Sequence, residues 1–283
     1  MRKRVAVTGA SGFVGRHVLA EFARIGTEVV AVTRNGGSLR DLPATMRVVE
    51  MDIESSGDGC FDRLGRPDVL LHLAWGGLPN YDSMRHFECE LPRQYRFLKK
   101  LVMEGLPSLL VTGTCLEYGM QSGPLSEENA VSPATPYALA KDALRRQLEF
   151  LRKARPFDLT WARLFYMYGK GQPETSLYPA FSKALERGDS AFNMSGGEQL
   201  RDYLPAAEVA RLIVQLALEG NGLGTVNVCS GRPVSVRGVV EKWLDEEKSC
   251  MQLNLGHYPY PDYEPMAFWG NTAKLQSFLR SIT

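Results

Sequence analysis

Tyr137 and Lys141 stand four residues apart at the head of a long segment whose apolar stripe is Leu144, Leu148 and Leu151. That spacing puts both on one face of a helix. An ammonium beside a phenol stabilises the phenolate and draws its pKa down from about 10 toward working pH. A tyrosine in that condition can give or take a proton at a substrate oxygen. Thr114, just past the apolar run 108–112, offers a hydroxyl to orient the same oxygen. The chemistry these three side chains can share is proton transfer at a carbonyl or carbinol. A Tyr and a Lys at this spacing also occur on ordinary surface helices, so the surrounding elements decide.

The redox half is at the N-terminus. Val5 to Val7 read as a short buried strand, and Gly9, Gly12 and Gly15 follow it. They open a helix over 13–25 with Phe13, Val14, Val18, Leu19 and Phe22 on one face. A strand running through glycines into a helix offers free N–H groups and a positive dipole end to a pyrophosphate. The glycines allow close approach of phosphate, or of helix to strand. A second strand over 28–33 follows at βαβ distance. An acid at its end would hold the ribose hydroxyls of NAD; here stand Thr33 and Arg34, then Asn35. Arg34 can pair with a 2′-phosphate and Thr33 can donate to it. Arg16 is a second candidate cation. Solvated surface arginines are the plainer alternative, but the pattern favours NADP(H) over NAD(H).

Further along, 46–51 is a third strand, ending in Asp52 and Ile53 at the adenine edge. Residues 54–65 read as a loop with at most a short helix. A wholly apolar fourth strand over 67–74 runs into Trp75-Gly76-Gly77, a turn beneath the cofactor. His72 inside it reads as a core histidine. A loop from Leu78 to Tyr81 borders the mouth of the site, 90–104 is a helix with Pro92 in its first turn, and 108–112 is the fifth strand. Strands and helices alternating at these lengths predict an α/β, Rossmann-type doubly wound parallel sheet.

Composition narrows the class. The 283 residues carry a formal net charge of +1, with no long basic run, so nucleic acid is not an expected partner. The five cysteines, at 60, 89, 115, 229 and 250, form no C-x-x-C pair. That points to a reducing compartment and to neither a disulfide framework nor a metal site. The basic start Met1-Arg-Lys-Arg precedes an apolar run too short for a signal peptide. No stretch reaches transmembrane length. A cytoplasmic protein without membrane contact is expected.

Taken together, these motifs resemble the extended short-chain dehydrogenase/reductase family over nearly the whole chain. T-G-x-x-G-x-x-G is here Thr8 to Gly15. The Ser/Thr four residues before Tyr-Gly is Thr114 before Tyr118-Gly119. Y-x-x-x-K is Tyr137 to Lys141. R-x-F-x-x-Y-G is Arg163 to Gly169, and R-D-[FY] is Arg201-Asp202-Tyr203. The resemblance implies Tyr137 as acid/base, Thr114 as its partner, and Lys141 on both Tyr137 and the nicotinamide ribose. It implies cofactor contacts from Ser11, Phe13, Val14, Leu73, Ala74, Trp75, Thr112 and Leu164 besides those above. Residues 1–168 would form the dinucleotide-binding domain. Residues 169–283 would be mainly a smaller lobe for a nucleoside diphosphate sugar, with about 200–230 returning to the first domain and Thr225 to Cys229 rejoining the sheet. The segment 268–279 resembles the family's closing helix. Arg201 resembles a contact to the sugar nucleotide's phosphates; a structural salt bridge to a nearby acid is the equal alternative. Trp75, Tyr81, Cys115 and Tyr166 are candidates to line the sugar pocket. The family often dimerises through the helix bearing Tyr137, so a homodimer is implied.

Departures from the family pattern separate its members. The 4,6-dehydratases carry Asp-Glu directly after the threonine; here Cys115 and Leu116 cannot move those protons. Galactose-type epimerases hold NAD through an acid where Thr33-Arg34 stands, and usually have Asn where Tyr166 stands. The segments 72–81 and 113–119 look like those of 4-ketoreductases that make 6-deoxyhexoses for surface polysaccharides. The expectation is NADPH-dependent reduction of a nucleoside diphosphate 4-keto-6-deoxyhexose. An NAD-retaining epimerase and a non-catalytic NADP(H)-binding regulator are the rivals.

Overall fold

Among the described residues, seven strands, all parallel, form the central sheet. The computed structural model describes residues 3–39, 42–54 and 57–283. Met1 and Arg2 of the basic start, and Ser55 and Ser56 of the 54–65 loop, lie outside the described residues. The first half runs β1 (Val5–Thr8), α1 (Phe13–Ile25), β2 (Val29–Thr33), β3 (Met46–Glu50), α2 (Cys60–Arg63), β4 (Val69–His72), α3 (Leu91–Met103), β5 (Ser108–Thr114), β6 (Gly123–Leu125), α4 (Pro136–Ala154) and β7 (Asp158–Leu164). The second half runs β8 (Tyr166–Tyr168), α5 (Leu177–Arg187), β9 (Ala191–Asn193), β10 (Leu200–Pro205), α6 (Ala206–Glu219), β11 (Gly224–Val228), β12 (Pro233–Ser235), α7 (Val236–Glu246), β13 (Gln252–Asn254), β14 (Phe268–Gly270) and α8 (Ala273–Ser281).

Short Val- and Leu-rich runs make the strands, and both faces of the sheet are covered, as a parallel sheet requires. Val5, Val7, Ala31, Leu71 and Leu110 point to a face packed by α1, α6 and α8. Ala6, Val32, Leu70, Leu109 and Val111 point to the opposite face, against α2, α3 and α4. Strand order β3-β2-β1-β4-β5-β7-β11 reverses direction of progression between β1 and β4. A crevice at the carboxyl ends of those two strands is where such sheets bind ligands.

The helix expected over 13–25 is α1, capped at its C-terminus by Gly26 with φ 66°. The long helix begins one residue before Tyr137. Thr135 caps it by accepting the Ala138 N–H at 3.2 Å, and Pro136 holds its first position, where no N–H is needed. Thr225 to Val228 do rejoin the sheet, as β11 beside β7. The closing segment differs from expectation: 268–270 is the strand β14, paired with β6, and the helix starts only at Ala273. Phe268 is held in a small core with Cys115, Tyr118, Leu125, Phe165 and Cys229, which favours an extended backbone there.

Residues after β7 also build a second core around Trp243, with Phe181, Phe192, Met194 and Val240. Three short strands, β8-β10-β12, bridge it to the central sheet. Asp202 ties this junction. Its fully buried carboxylate accepts the N–H groups of Ser230 at 2.6 Å, Gly231 at 2.8 Å and Gly270 at 3.3 Å. Replacing it with alanine strands three backbone donors, and an unsatisfied buried donor costs about 1–3 kcal/mol. Asp202→Ala is therefore expected to lower unfolding free energy by about 3 kcal/mol or more, measured as a lower urea midpoint at unchanged slope.

Candidate active site

At the switch point the β1–α1 turn meets the end of β4. Gly9 has φ 69°, and a Cβ on it would lie 2.7 Å from the Ala74 nitrogen. Gly15 is buried against the same turn, where a Cβ would lie 2.2 Å from the Gly9 oxygen. These two glycines let helix and strands close on each other and leave the first-turn N–H groups of α1, Phe13 and Val14 among them, without intrahelical partners. In front lies a cleft of about 940 Å³. Its walls include Gly9, Ser11, Gly12, Thr33, Arg34, Asp52, Ile53, Leu73, Ala74 and Trp75. All ten were expected from the sequence. A narrow glycine cradle, a positive helix end and a long cleft fit a dinucleotide. Phe13, Val14, Gly15, Thr112, Leu164, Tyr137 and Lys141, also expected at the cofactor, are not among the residues that line this cleft.

At the ribose end, Ser11 Oγ and Thr33 Oγ1 are hydrogen-bonded at 2.9 Å. Arg34 is exposed at the rim. Arg16 instead clamps two loops, donating to the Ser11 and Ser38 carbonyls at 3.0 Å each. Glu50, at the end of β3, accepts the Gly36 N–H at 2.6 Å.

The cleft also exposes Arg85, Glu90 and Arg93, which sequence reasoning missed. Glu90 is buried and accepts from the Gly76 N–H, Arg93 and Gln94 at 3.1 Å each. Gln94 in turn meets His72, whose other nitrogen meets the Thr8 hydroxyl at 2.8 Å. Burial pulls His72 down to about 3, so it is a neutral core histidine, as its apolar run implied.

Thr114 closes β5, where its Oγ1 accepts the Leu116 N–H at 3.2 Å. Tyr137, on the first turn of α4, is buried among Trp75, Tyr81 and His86, with ring centroids at 6.0, 5.4 and 5.2 Å. Its N–H donates to the Tyr81 carbonyl at 3.1 Å. His86 gave no signal in the sequence. Its Nδ1 accepts from Trp75 Nε1 at 3.1 Å while its Nε2 donates to the Asn80 carbonyl at 2.7 Å, an arrangement of the neutral ring that fixes Trp75.

Lys141 is also buried. Its Nζ donates to the Thr112 carbonyl at 2.8 Å and lies 4.1 Å over the Trp75 ring, but 5.9 Å from the centroid of Tyr137. The expected lowering of the tyrosine pKa is therefore not what this form of the protein presents. Burial pushes Tyr137 well above its ordinary value, and the neighbouring Tyr81, Glu117 and Cys115 add to that. The lysine is the group that moves down, to about 7, because burial outweighs the attraction of Glu117 and Glu90.

Of the sugar-pocket candidates, Trp75 and Tyr81 flank Tyr137, and Tyr81 reaches on to Tyr263 at 6.0 Å. Cys115 is buried in the small core against which Tyr166 packs, its thiol pushed up by burial. Arg201 takes the salt-bridge alternative here. It is 1% exposed, and its Nε is 3.4 Å from Glu264, whose carboxylate also accepts from the Tyr166 hydroxyl. Its Nη1 donates to the Leu200 and Met266 carbonyls, and the guanidinium lies 4.6 Å over Phe268. A second cleft, of about 670 Å³, opens in the smaller lobe between Leu177, Lys183, Arg187, Phe192, Asn193 and Tyr258. Its residues come from one face of α5, from β9 and from loops, without a shared motif, so the sequence did not reveal it.

The chain matches the profile of the NAD dependent epimerase/dehydratase family over residues 5–229. It is 28% identical to the dTDP-6-deoxy-L-talose 4-dehydrogenase (NAD(+)) of Aggregatibacter actinomycetemcomitans, over 94% of this chain and 98% of that protein. It is 27% identical to the GDP-6-deoxy-D-mannose reductase of Pseudomonas aeruginosa, over 87% of this chain and 80% of that protein. Among solved structures, MoeE5 in complex with UDP-glucose and NAD superposes with a TM-score of 0.80 at 27% identity, covering 97% of this chain and 91% of that one.

Proposed function

The chain belongs to the NAD dependent epimerase/dehydratase family of sugar-nucleotide-modifying enzymes, and within it we propose NADPH-dependent reduction of the 4-keto group of a nucleoside diphosphate 4-keto-6-deoxyhexose. The observation that carries this reading is the turn after Thr114. The positions from which a dehydratase works are Cys115 and Leu116, neither of which carries an acid. The turn's one carboxylate, Glu117, faces inward onto the Thr114 N–H, Trp161 and Arg163. The chemistry left at the site is oxygen protonation and deprotonation. Relatives named as a 4-dehydrogenase and a reductase, matched along most of their length, support the same reaction type.

The dinucleotide, when bound, supplies hydride chemistry at C4 of the sugar. The chain supplies the rest. Tyr137 gives its proton to the oxygen that becomes a hydroxyl. The burial that raises its pKa keeps that proton on at neutral pH, so its release depends on Lys141 stabilising the phenolate. Thr114 orients the same oxygen. Lys141 holds the ribose and provides positive charge as the tyrosine ionises. The smaller lobe, beginning near residue 169, seats the nucleotide in its cleft, and Arg201 turns to the diphosphate on exchanging Glu264 for it.

NADPH is favoured over NADH by Thr33-Arg34, which stand at the end of β2 in place of an acid and offer a hydroxyl and a cation to a 2′-phosphate. Arg34→Ala is expected to raise the KM for NADPH about tenfold, one charge-assisted contact's worth, and to leave the KM for NADH within about twofold. Equal losses for both cofactors would remove Arg34 from the 2′-phosphate. The reaction itself is tested by NADPH oxidation with dTDP-, CDP- and GDP-4-keto-6-deoxyhexoses. Rapid oxidation with one of them is the expected result. No oxidation, together with bound NAD and interconversion of sugar epimers, would replace the reading with an epimerase.

A further inference from the structure

Glu117 is fully buried, three residues past Thr114, in the tight turn Cys115–Tyr118. A buried carboxylate is tolerated only when paired and hydrogen-bonded. One oxygen accepts the Thr114 N–H at 2.9 Å and Trp161 Nε1–H at 3.0 Å. The other accepts Arg163 Nε–H at 2.7 Å. Gly113 makes the room, since a Cβ there would lie 2.1 Å from Trp161 Nε1 and 2.4 Å from Glu117 Oε1. Thr114 reciprocates by capping the same turn. Holding a turn does not need a desolvated ion pair; apolar residues of like volume often do it as well or better.

We propose that Glu117 is a positioning residue of the catalytic centre, fixing the Thr114 backbone and holding a negative charge beneath the Thr114–Tyr137–Lys141 group, with Arg163 as its counter-ion. The inference rests on the reading of those three residues given above. The field of this carboxylate is felt at both other members. It is the larger of two attractions that oppose the burial of Lys141, Glu90 being the other. It also helps keep the proton on Tyr137. The remaining groups about Lys141 are the Thr112 carbonyl, the Trp75 ring, Tyr137 and neutral His72. About Glu117 they are Arg163, Trp161, Tyr118 and Cys115.

Glu117→Gln keeps the shape and removes the charge. Because it leaves Arg163 buried without its partner, the pair Glu117→Gln/Arg163→Met is made as well, and Glu117→Asp retains the charge on a shorter arm. Two quantities are read: turnover against KM with the sugar nucleotide, and NADPH affinity by nicotinamide fluorescence from about pH 6 to about pH 9. Both Gln proteins are expected to lose turnover about tenfold or more, with KM changed by less than about threefold. Their loss of NADPH affinity with rising pH is expected to begin about one unit lower. Glu117→Asp is expected to keep the wild-type pH dependence while losing part of the turnover. Wild-type turnover and pH dependence in the double variant, or a pH dependence moved equally by Asp and Gln, would make Glu117 a structural residue only. The fluorescence arm needs no sugar nucleotide. A wild-type protein that reduces no 4-keto-6-deoxyhexose fails the functional reading alone, whereas an unmoved pH dependence fails this one.

Discussion

Tyr137→Phe is expected to cut turnover by about 10²–10⁴-fold, the usual worth of a general acid, while NADPH affinity and thermal stability stay close to wild type. The ring is what packs: Trp75, Tyr81 and His86 surround it, and the backbone N–H, which any residue supplies, makes the bond to Tyr81. Phenylalanine keeps all of that and removes only the proton donor. The measurement is steady-state NADPH oxidation with the 4-keto sugar nucleotide, alongside NADPH binding and a melting curve. A loss of turnover with KM nearly unchanged places the hydroxyl at the transition state. Near-normal reduction by the Phe protein would defeat the assignment. A large fall in melting temperature would mean that the hydroxyl, not the ring, was holding the pocket.

The cofactor half of this site was legible because its requirements are local. A strand, three glycines and a helix are one stretch of chain, and the contact that needs Gly15 is made within it, although Gly9 is needed against Ala74 at the distant end of β4. The parallel sheet followed from uninterrupted apolar strands, whereas the late return of β11 was expected from the family resemblance. Of the proposed trio, Tyr137 and Lys141 stand out by their spacing and Thr114 by its place at a strand end. The trio's electrostatics were not legible, because they depend on groups far away in sequence. Whether a lysine four residues from a tyrosine lowers the phenol's pKa depends on where its ammonium goes. Here Thr112 and Trp75 take it. His86 and Glu90 escaped notice for the same reason: a polar residue in a helical lead-in carries no mark that it will be turned inward. Arg201 is the intermediate case. Its motif was plain, but Glu264, 63 positions later, had no motif of its own. The cleft in the smaller lobe, assembled from α5, β9 and loops that share no motif, was invisible.

The second large effect expected is a steep pH dependence of NADPH binding that belongs to Lys141. Burial pulls this amine down to about 7, from an ordinary value of 10.5. The folded chain thus binds fewer protons at this site than the unfolded chain does between about pH 7 and about pH 10. The sign follows. Burial of the charged lysine penalises the fold fully below about pH 7, and the penalty is relieved as pH rises, so this group makes the ligand-free protein more stable toward alkaline pH. An anionic cofactor against the lysine favours its charged form and raises its pKa. Binding above neutrality must then take up a proton, and affinity falls by up to about tenfold per pH unit until the pKa of the bound state is reached. Stabilisation by NADPH in thermal unfolding should shrink over the same range, since it follows the logarithm of affinity. Lys141→Met removes the amine while keeping an apolar stem beside Trp75. That protein is expected to bind NADPH more weakly at neutral pH, with the slope flattened, and to lose about a hundredfold or more in turnover because nothing offsets the developing phenolate. A wild-type affinity that is level above neutrality, or a slope that survives in Lys141→Met, would show that the titrating group lies elsewhere. The structural cause is that the lysine is held by a carbonyl and an indole, neither of which neutralises it, while Glu117 and Glu90 oppose the effect of its burial. A cofactor phosphate or ribose oxygen set against Lys141 would add to these two carboxylates, and the proton taken up with it would be the measurable trace of that contact.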